Sequence, residues 1–92
     1  MKEESYELIV IEKFHFSDGR TVFVGRVSGR IKVILPGYYD LEVRGQKKAT
    51  IWIHGEEFPV TKQIGYRAVS TSEQMAIDSP FISGEWKLVF RQ

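Results

Sequence analysis

Residues 17–35 read SDGRTVFVGRVSGRIKVIL, and this stretch decides the fold of the 92-residue chain. It holds two apolar, β-branched runs, 21–27 and 30–35, which are introduced by Asp18-Gly19 and separated by Ser28-Gly29. Asp-Gly and Ser-Gly pairs readily adopt the positive φ values that tight hairpin turns need. The stretch therefore predicts two successive turns that join three antiparallel strands, the first of them at 6–16.

The same residue choice continues along the chain, where Val, Ile and Thr number twenty-two against seven Ala and Leu. β-branched side chains favour strands, and regularly spaced glycines mark the turns of a barrel or sandwich. We expect a bulge near Glu12-Lys13, a turn at Pro36-Gly37, a polar loop at 45–48 and a capping box that starts one helical turn at Thr71. Further strands are predicted at 38–44, 49–54, 66–70 and 85–90.

These elements predict an all-β domain, a small closed or partly open antiparallel β-barrel of about six to seven strands with at most one short helical turn. We interpret 1–92 as a single domain in which residues 1–5 form a flexible tail. In the last strand, Trp86, Leu88 and Phe90 alternate and so share one buried face.

The predicted hairpin of strands 21–27 and 30–35 has two faces, because directly paired residues lie on the same side of a sheet. The more apolar face should be the core face, and the other should be covered by the same chain or by a partner; we favour the same chain. The first face carries Val22, Val24, Ile31, Val33 and Leu35, and the second carries Phe23, Val27 and Ile34.

Charge is concentrated in the middle of a chain whose net charge is only +1. Residues 20–48 hold seven Lys and Arg against two Asp and Glu. Guanidinium groups pair with phosphate and tyrosine rings stack on bases, so this segment indicates an RNA- or partner-binding rim at one end of the barrel. Solvated strand residues that protect sheet edges are the alternative interpretation. The candidates are Arg20, Arg26, Arg30, Lys32, Tyr38, Tyr39, Arg44, Lys47 and Lys48.

No catalytic or metal-binding pattern is evident. The chain lacks cysteine, has no Gly-x-x-x-x-Gly-Lys-Ser/Thr phosphate loop, and its two histidines, His15 and His54, have no metal-ligand spacing. We therefore expect no enzyme, cofactor, metal or nucleotide. Asp40 and Glu42, two apart on one strand face, could serve a small hydrolase or lyase together with a histidine, which is the least favoured alternative. No apolar run resembles a leader or a membrane span, so we expect a cytoplasmic protein with no membrane partner.

The segment from Thr21 to Lys32, followed by Gly37, Leu41-Glu42-Val43 and Gly45, resembles the β-barrel second domain of translation elongation factors. Residues 50–58 are similar to the next strand of those barrels, so the resemblance covers about residues 14–58. It implies a non-catalytic adaptor that contacts RNA, the ribosome or a translation-related protein, weakly and with strong salt sensitivity. The alternative is a protein–protein interaction module, such as a small inhibitor, an immunity-type factor or an assembly subunit, that binds through Phe23, Val27 and Ile34.

Overall fold

The computed structural model describes residues 6–29, 31, 33–57, 65–74, 77 and 79–90. They form one antiparallel sheet, and none of the described residues is helical, which confirms the predicted all-β barrel-like class. No described segment forms a helix long and apolar enough to cross a membrane. The strands are β1 (Glu7–His15), β2 (Thr21–Ser28), β3 (Gly37–Val43), β4 (Gln46–Ile53), β5 (Gly55–Glu57), β6 (Arg67–Thr71) and β7 (Trp86–Phe90).

The sheet curls because its two edges belong to one bent strand. The strand order is β4-β3-β7-β1-β2-β6-β5, and β4 and β5 are separated in the chain only by His54. At this bend the His54 N–H donates to the carbonyl of Ser70, 2.9 Å away, and Thr71 Oγ1 donates to the Trp52 carbonyl at 2.7 Å. These bonds bring the end of β4 against β6, on the opposite side of the sheet order.

The β1–β2 hairpin confirms the predicted Asp18-Gly19 turn. The Phe16 N–H donates to the Arg20 carbonyl at 2.8 Å, and Gly19 has a φ of 92°. The predicted bulge is also present, between Val10 and Glu12. Gly25 pairs with Val10 beside this bulge, where a Cβ would overlap the carbonyl oxygen of Ile9. Glycine is therefore required at that position by the close approach of the two backbones.

The core lies inside the curl and is filled by alternate residues of the long strands. β7 contributes Trp86, Leu88 and Phe90, as the alternation predicts, and β3 contributes Tyr39, Leu41 and Val43. The remaining buried members of this cluster are Tyr6, Leu8, Val10, Phe23, Ile34, Ile51, Ile53 and Val69.

The predicted strand at 30–35 is wrong. Ile31 and residues 33–36 are not in a strand, and Arg30 and Lys32 lie outside the described residues. The physical reason is that β2 is already paired with β1 on one side and with β6 on the other, so it has no edge for a third neighbour. The 31–36 segment is held by side chains, as described below.

The predicted core face of that hairpin is also wrong. Phe23 and Ile34 are buried in the main core with Val27 packed against them, so the same chain covers this second face. Val22 and Val24 instead form a small separate cluster with Ala68. Val33 and Leu35 are about half exposed. The protein-binding alternative therefore loses the surface it was based on, because Phe23 and Ile34 are not accessible.

The predicted polar loop at 45–48 is shorter than expected, and the described residues of the predicted helical turn are not helical. The β3–β4 connection is the two-residue turn Arg44-Gly45, with φ values of 51° and 82°, so residues 46–48 already belong to β4. Residues 55–57, which follow the predicted strand at 49–54, form the short additional strand β5. Thr71 Oγ1 accepts the Glu73 N–H at 3.1 Å, but residues 72–74 and 77 are not helical. Residues 75 and 76 of the predicted turn lie outside the described residues.

Candidate functional site

The described basic candidates do not form one continuous rim. β1 and β3 run in the same direction, so the turns that follow them, with Arg20 and Arg44, lie at the same end of the sheet. Arg26 lies toward the opposite end of β2. Two strands, β1 and β7, separate β2 from β3 in the sheet order. The basic residues are therefore divided between two parts of the curled sheet, which we call walls. Arg20 and Arg26 belong to the β2 wall, and Arg44, Lys47 and Lys48 belong to the β3–β4 wall.

Arg20 connects the first turn to the edge strand β5. Its Nη1 lies 3.5 Å from Glu57 Oε1, and its guanidinium carbon is 5.0 Å from the centre of the Phe16 ring. Its backbone N–H donates to Asp18 Oδ1 at 3.0 Å, while its Nε is buried with no hydrogen-bond partner. These contacts give Arg20 a structural role in the hairpin.

Arg26 is similarly engaged, because its guanidinium carbon lies 5.2 Å from the centre of the Tyr66 ring. Stacking of this kind is worth about 0.5–1 kcal/mol at an exposed site. Tyr66 packs against the small Val22–Val24–Ala68 cluster, and the Arg26 guanidinium lies over its ring. Neither Arg20 nor Arg26 shares a wall with the tyrosine candidates.

The tyrosine candidates differ completely in exposure. Tyr38 is 59% exposed on the outer face of β3, whereas Tyr39 is 2% exposed in the core and cannot stack on a ligand. Tyr39 donates to the Leu35 carbonyl at 2.7 Å and accepts from Tyr6, whose oxygen is 2.6 Å away. The Leu35 N–H in turn donates to the Tyr6 hydroxyl at 3.2 Å. Burial and the bond to Tyr6 raise the pKa of the Tyr39 phenol well above its ordinary value.

Sequence reasoning missed Trp52, which completes an aromatic pair with Tyr38. The two residues are cross-strand partners, their ring centres are 5.0 Å apart, and the rings meet at 77°. Trp52 is 38% exposed. The signal was present in the sequence, because Trp52 alternates with Ile51 and Ile53, and both of these face the core.

Three basic candidates lie at the other end of the same hairpin. Arg44 occupies the turn, Lys47 pairs with Glu42, and Lys48 takes the extra position of a bulge between Leu41 and Glu42. Arg44 Nε is 2.8 Å from Glu85 Oε1, and Lys47 Nζ is 3.6 Å from Asp40 Oδ1. A cleft of about 270 Å³ opens beside the turn and is lined by Val43, Arg44, Gln46, Lys48 and Ser79.

Both histidines contact hydroxyl groups. His54 Nε2 lies 2.9 Å from Ser72 Oγ, and His15 Nδ1 lies 3.1 Å from Thr21 Oγ1. In the described part of the chain neither ring has a carboxylate partner that could orient it as a general base, and Thr21 is buried. The described residues also include no group of three or more His, Cys, Asp or Glu that could hold a metal ion.

The carboxylate pair of the hydrolase alternative belongs to the β3–β4 face. Asp40 Oδ1 accepts the Thr50 hydroxyl at 3.1 Å as well as the Lys47 ammonium. Glu42 lies two residues further along β3, beside Lys47 and, on β7, Lys87. These groups surround the carboxylates with cations and a hydroxyl rather than with a histidine.

No protein-family model, curated protein or solved structure matches this chain.

Proposed function

We propose that this protein is a non-catalytic binding module that contacts single-stranded RNA along the outer face of the β3–β4 hairpin. The proposal rests on one observation, an exposed aromatic pair and three cations on a single hairpin. Tyr38 and Trp52 form the pair, and Arg44, Lys47 and Lys48 are the cations. Sites for single-stranded nucleic acid combine aromatic rings that stack on bases with cations that follow the backbone.

The spacing along β4 suits an extended ligand. Trp52 and Lys47 are five residues apart, which corresponds to about 17 Å at about 3.4 Å per residue. Both lie on the outer face, because they pair with Tyr38 and Glu42 of β3. A short single strand could therefore place a base on the aromatic pair and a phosphate at the cationic end.

The ion pairs of these cations leave them available to phosphate. The side chains of Arg44 and Lys47 are 64% and 58% exposed, and their acidic partners are Glu85 and Asp40. The Arg44–Glu85 pair is exposed on both sides and is worth about 0–1 kcal/mol, so a phosphate oxygen can replace the Glu85 carboxylate at little cost. Asp40 is largely buried, but it also accepts the Thr50 hydroxyl and so keeps a donor when Lys47 turns to a phosphate. Arg20, in contrast, has a partly buried guanidinium that is committed to the first hairpin.

The backbone at Arg44 also supports a functional role for this residue. Its φ of 51° lies in the left-handed region, which is unfavourable for arginine and favours Asn or Gly. A residue kept in such a conformation at an exposed turn supports a hypothesis of function. Arginine here supplies a planar, permanently charged donor at the tip of the hairpin.

The test is a fluorescence-polarisation titration with labelled oligouridylate at low salt. Trp52→Ala and Tyr38→Ala should each weaken binding about tenfold, since stacking is worth about 1–3 kcal/mol per base. The double variant Lys47→Gln/Lys48→Gln should also reduce the salt dependence, which for about three phosphate contacts has a slope near −2. The matched controls are Phe14→Ala, another exposed aromatic residue, and Arg26→Gln on the other wall.

The controls distinguish RNA binding at this surface from nonspecific RNA binding by the rest of the protein. If Phe14→Ala or Arg26→Gln weakens binding as much as the hairpin variants, the β3–β4 face is not the site. If oligouridylate and oligoadenylate show no saturable binding at low salt, the RNA proposal fails. In that case a protein partner at the aromatic pair becomes the explanation to pursue, because Tyr and Trp are also the residues most enriched in protein-binding hot spots.

A further inference from the structure

A second cleft lies at the end of the sheet where β1 and β2 meet. It has a volume of about 310 Å³ and is lined by Lys13, His15, Thr21, Glu73 and Gln74. The mouth of a β-barrel is a preferred place for small ligands, and this volume is at the lower end of the range for such sites. The cleft uses none of the side chains assigned above to RNA binding.

Lys13 lines this cleft, and its ammonium group has no carboxylate partner in the described part of the chain. Its Nζ lies 5.1 Å from the centre of the Trp86 ring and 5.9 Å from that of Phe81. Lys13 pairs with Phe23, a core residue, so it extends from the core face of β1 at the open end of the barrel. The two aromatic rings therefore fix the position of the Lys13 ammonium group.

Glu73 supplies the opposite charge from the segment that follows β6. Its Oε2 accepts the Trp52 backbone N–H at 2.8 Å, and its own N–H donates to Thr71 Oγ1 at 3.1 Å. The first bond holds the Glu73 side chain at the end of β4, and the second holds its backbone beside β6. Glu73 and Lys13 line the same cleft, and no ion pair joins their side chains.

Other polar side chains complete the lining. His15 is oriented by the contact of its Nδ1 with Thr21 Oγ1 at 3.1 Å, which directs the other ring nitrogen away from Thr21. Gln74 follows Glu73 and adds an amide, which can both donate and accept hydrogen bonds. The cleft is thus lined by one basic and one acidic residue, with further hydrogen-bonding groups beside them.

We propose that this cleft binds a small zwitterion of the amino-acid type, with the ligand carboxylate at Lys13 and the ligand ammonium at Glu73. A ligand that carries both charges satisfies both groups at once. A simple anion would also meet the Glu73 carboxylate, and a simple cation would meet the Lys13 ammonium. Each would therefore gain one favourable interaction and suffer one repulsion.

The test is an NMR titration with three ligands of nearly equal size: L-alanine, propionate and ethylamine. Propionate lacks the ammonium group of alanine, and ethylamine lacks its carboxylate. Alanine should give saturable shifts at residues that line the cleft, and the two single-charge ligands should bind about tenfold more weakly, which is the loss of about one charge-assisted contact.

Two variants give a crossed pattern that a merely structural role would not produce. Lys13→Gln should weaken alanine and propionate but not ethylamine. Glu73→Gln keeps an acceptor for the Trp52 N–H and should weaken alanine and ethylamine but not propionate. Lys87→Gln, which removes a lysine on the outer face of β7, is the matched control and should change none of the three affinities.

Several outcomes would overturn the proposal. The site is not zwitterion-specific if propionate binds as tightly as alanine, and there is no site if alanine produces no saturable shifts. Equal effects of either variant on all three ligands would indicate a general change of structure. If Lys13→Gln does not fold, the three wild-type titrations and Glu73→Gln still decide the question.

Discussion

Glu56 and Arg67 are joined by two parallel hydrogen bonds, Nε to Oε2 and Nη2 to Oε1, each 2.7 Å long. The same pair holds the 31–36 segment on the barrel. Arg67 Nη1 donates to the Ile31 carbonyl at 2.8 Å, and the Ile34 N–H donates to Glu56 Oε1 at 3.1 Å. The Glu56 side chain is only 5% exposed. The Glu56–Arg67 pair thus holds the 31–36 segment through side-chain hydrogen bonds, where a hairpin would use backbone hydrogen bonds between strands.

Removing one member of this pair should destabilise the protein strongly. We expect Glu56→Ala to lower the free energy of unfolding by about 3 kcal/mol, because it leaves the Arg67 guanidinium with a lost partner in a largely buried site. Urea denaturation followed by tryptophan fluorescence measures this change. The double variant Glu56→Leu/Arg67→Leu should lower the free energy of unfolding by less than the sum of the losses measured for Glu56→Leu and for Arg67→Leu. Additive costs would contradict the coupling seen in the structure.

The pair should also make stability depend on acid pH. Burial raises the pKa of Glu56. The hydrogen bonds from Arg67, the hydrogen bond from the Ile34 N–H and the positive charge of Arg67 together lower this pKa by more, so it lies below the ordinary value of 4.5. The stabilisation is therefore complete above the ordinary pKa and is lost as the pH falls through the lower folded-state pKa. Urea midpoints measured from neutral pH down to about pH 3 should fall more steeply for wild type than for Glu56→Gln. Parallel curves would refute this assignment.

Tyr39→Phe should break the closed set of hydrogen bonds that links Tyr6, Tyr39 and the backbone of Leu35. The change leaves the Leu35 carbonyl without its donor, so we expect a loss of about 1–2 kcal/mol in thermal or urea unfolding. Tyr38→Phe, on the exposed face, is the matched control and should have little effect. Because burial raises the pKa of Tyr39 above 10.0, wild type should also lose stability as the pH rises beyond that value, and Tyr39→Phe should lose less.

Gly25→Ala should be among the most damaging small substitutions in the chain. The added Cβ would overlap the Ile9 carbonyl oxygen beside the β1 bulge, and the obstacle is backbone that cannot rotate away. We expect a loss of more than about 3 kcal/mol or a failure to fold. Gly19→Ala is the control, because its Cβ meets nothing within 4 Å and only the φ of 92° opposes it, at about 1 kcal/mol. Similar losses at both positions would argue against the close approach.

Arg44→Asn should stabilise the β3–β4 turn and weaken RNA binding at the same time. Asn tolerates the left-handed conformation better than Arg, which favours the variant by about 0.5–1 kcal/mol. The comparison is best made in a Glu85→Gln background, where the Arg44–Glu85 ion pair is already absent from both proteins. Urea denaturation measures the gain, and the oligouridylate titration measures the loss. A destabilised variant would mean that other contacts of Arg44 dominate the turn.

Local features of the fold were predictable because short-range chemistry determines them. Asp18-Gly19 produced the expected hairpin, the irregular alternation near Glu12 produced a bulge, and the alternation of Trp86 with Leu88 placed both in the core. In each case the relevant interaction involves residues that are close together in the sequence. For the candidate site, Tyr38, Arg44, Lys47 and Lys48 lie on one hairpin, whereas Tyr39 is buried and Trp52 was missed.

The error at 30–35 arose from competition that alternation cannot reveal. Ile31, Val33 and Leu35 alternate with other residues as a strand would, yet both sides of β2 are occupied by strands that lie elsewhere in the chain. β7, at the C-terminal end of the described chain, inserts between β1 and β3. Pairings of such long sequence separation depend on how the whole chain curls and not on the residues near any one turn.

The sequence by itself determined the strand-forming character of the chain, the first hairpin and the inward face of the last strand, since backbone sterics and side-chain alternation act locally. Only the tertiary structure decided which strands are neighbours, which tyrosine is buried, and that Lys13 and Glu73 share a cleft. Those relationships depend on the curl that joins β4 to β5 through His54, because the curl brings together residues that lie far apart in the sequence.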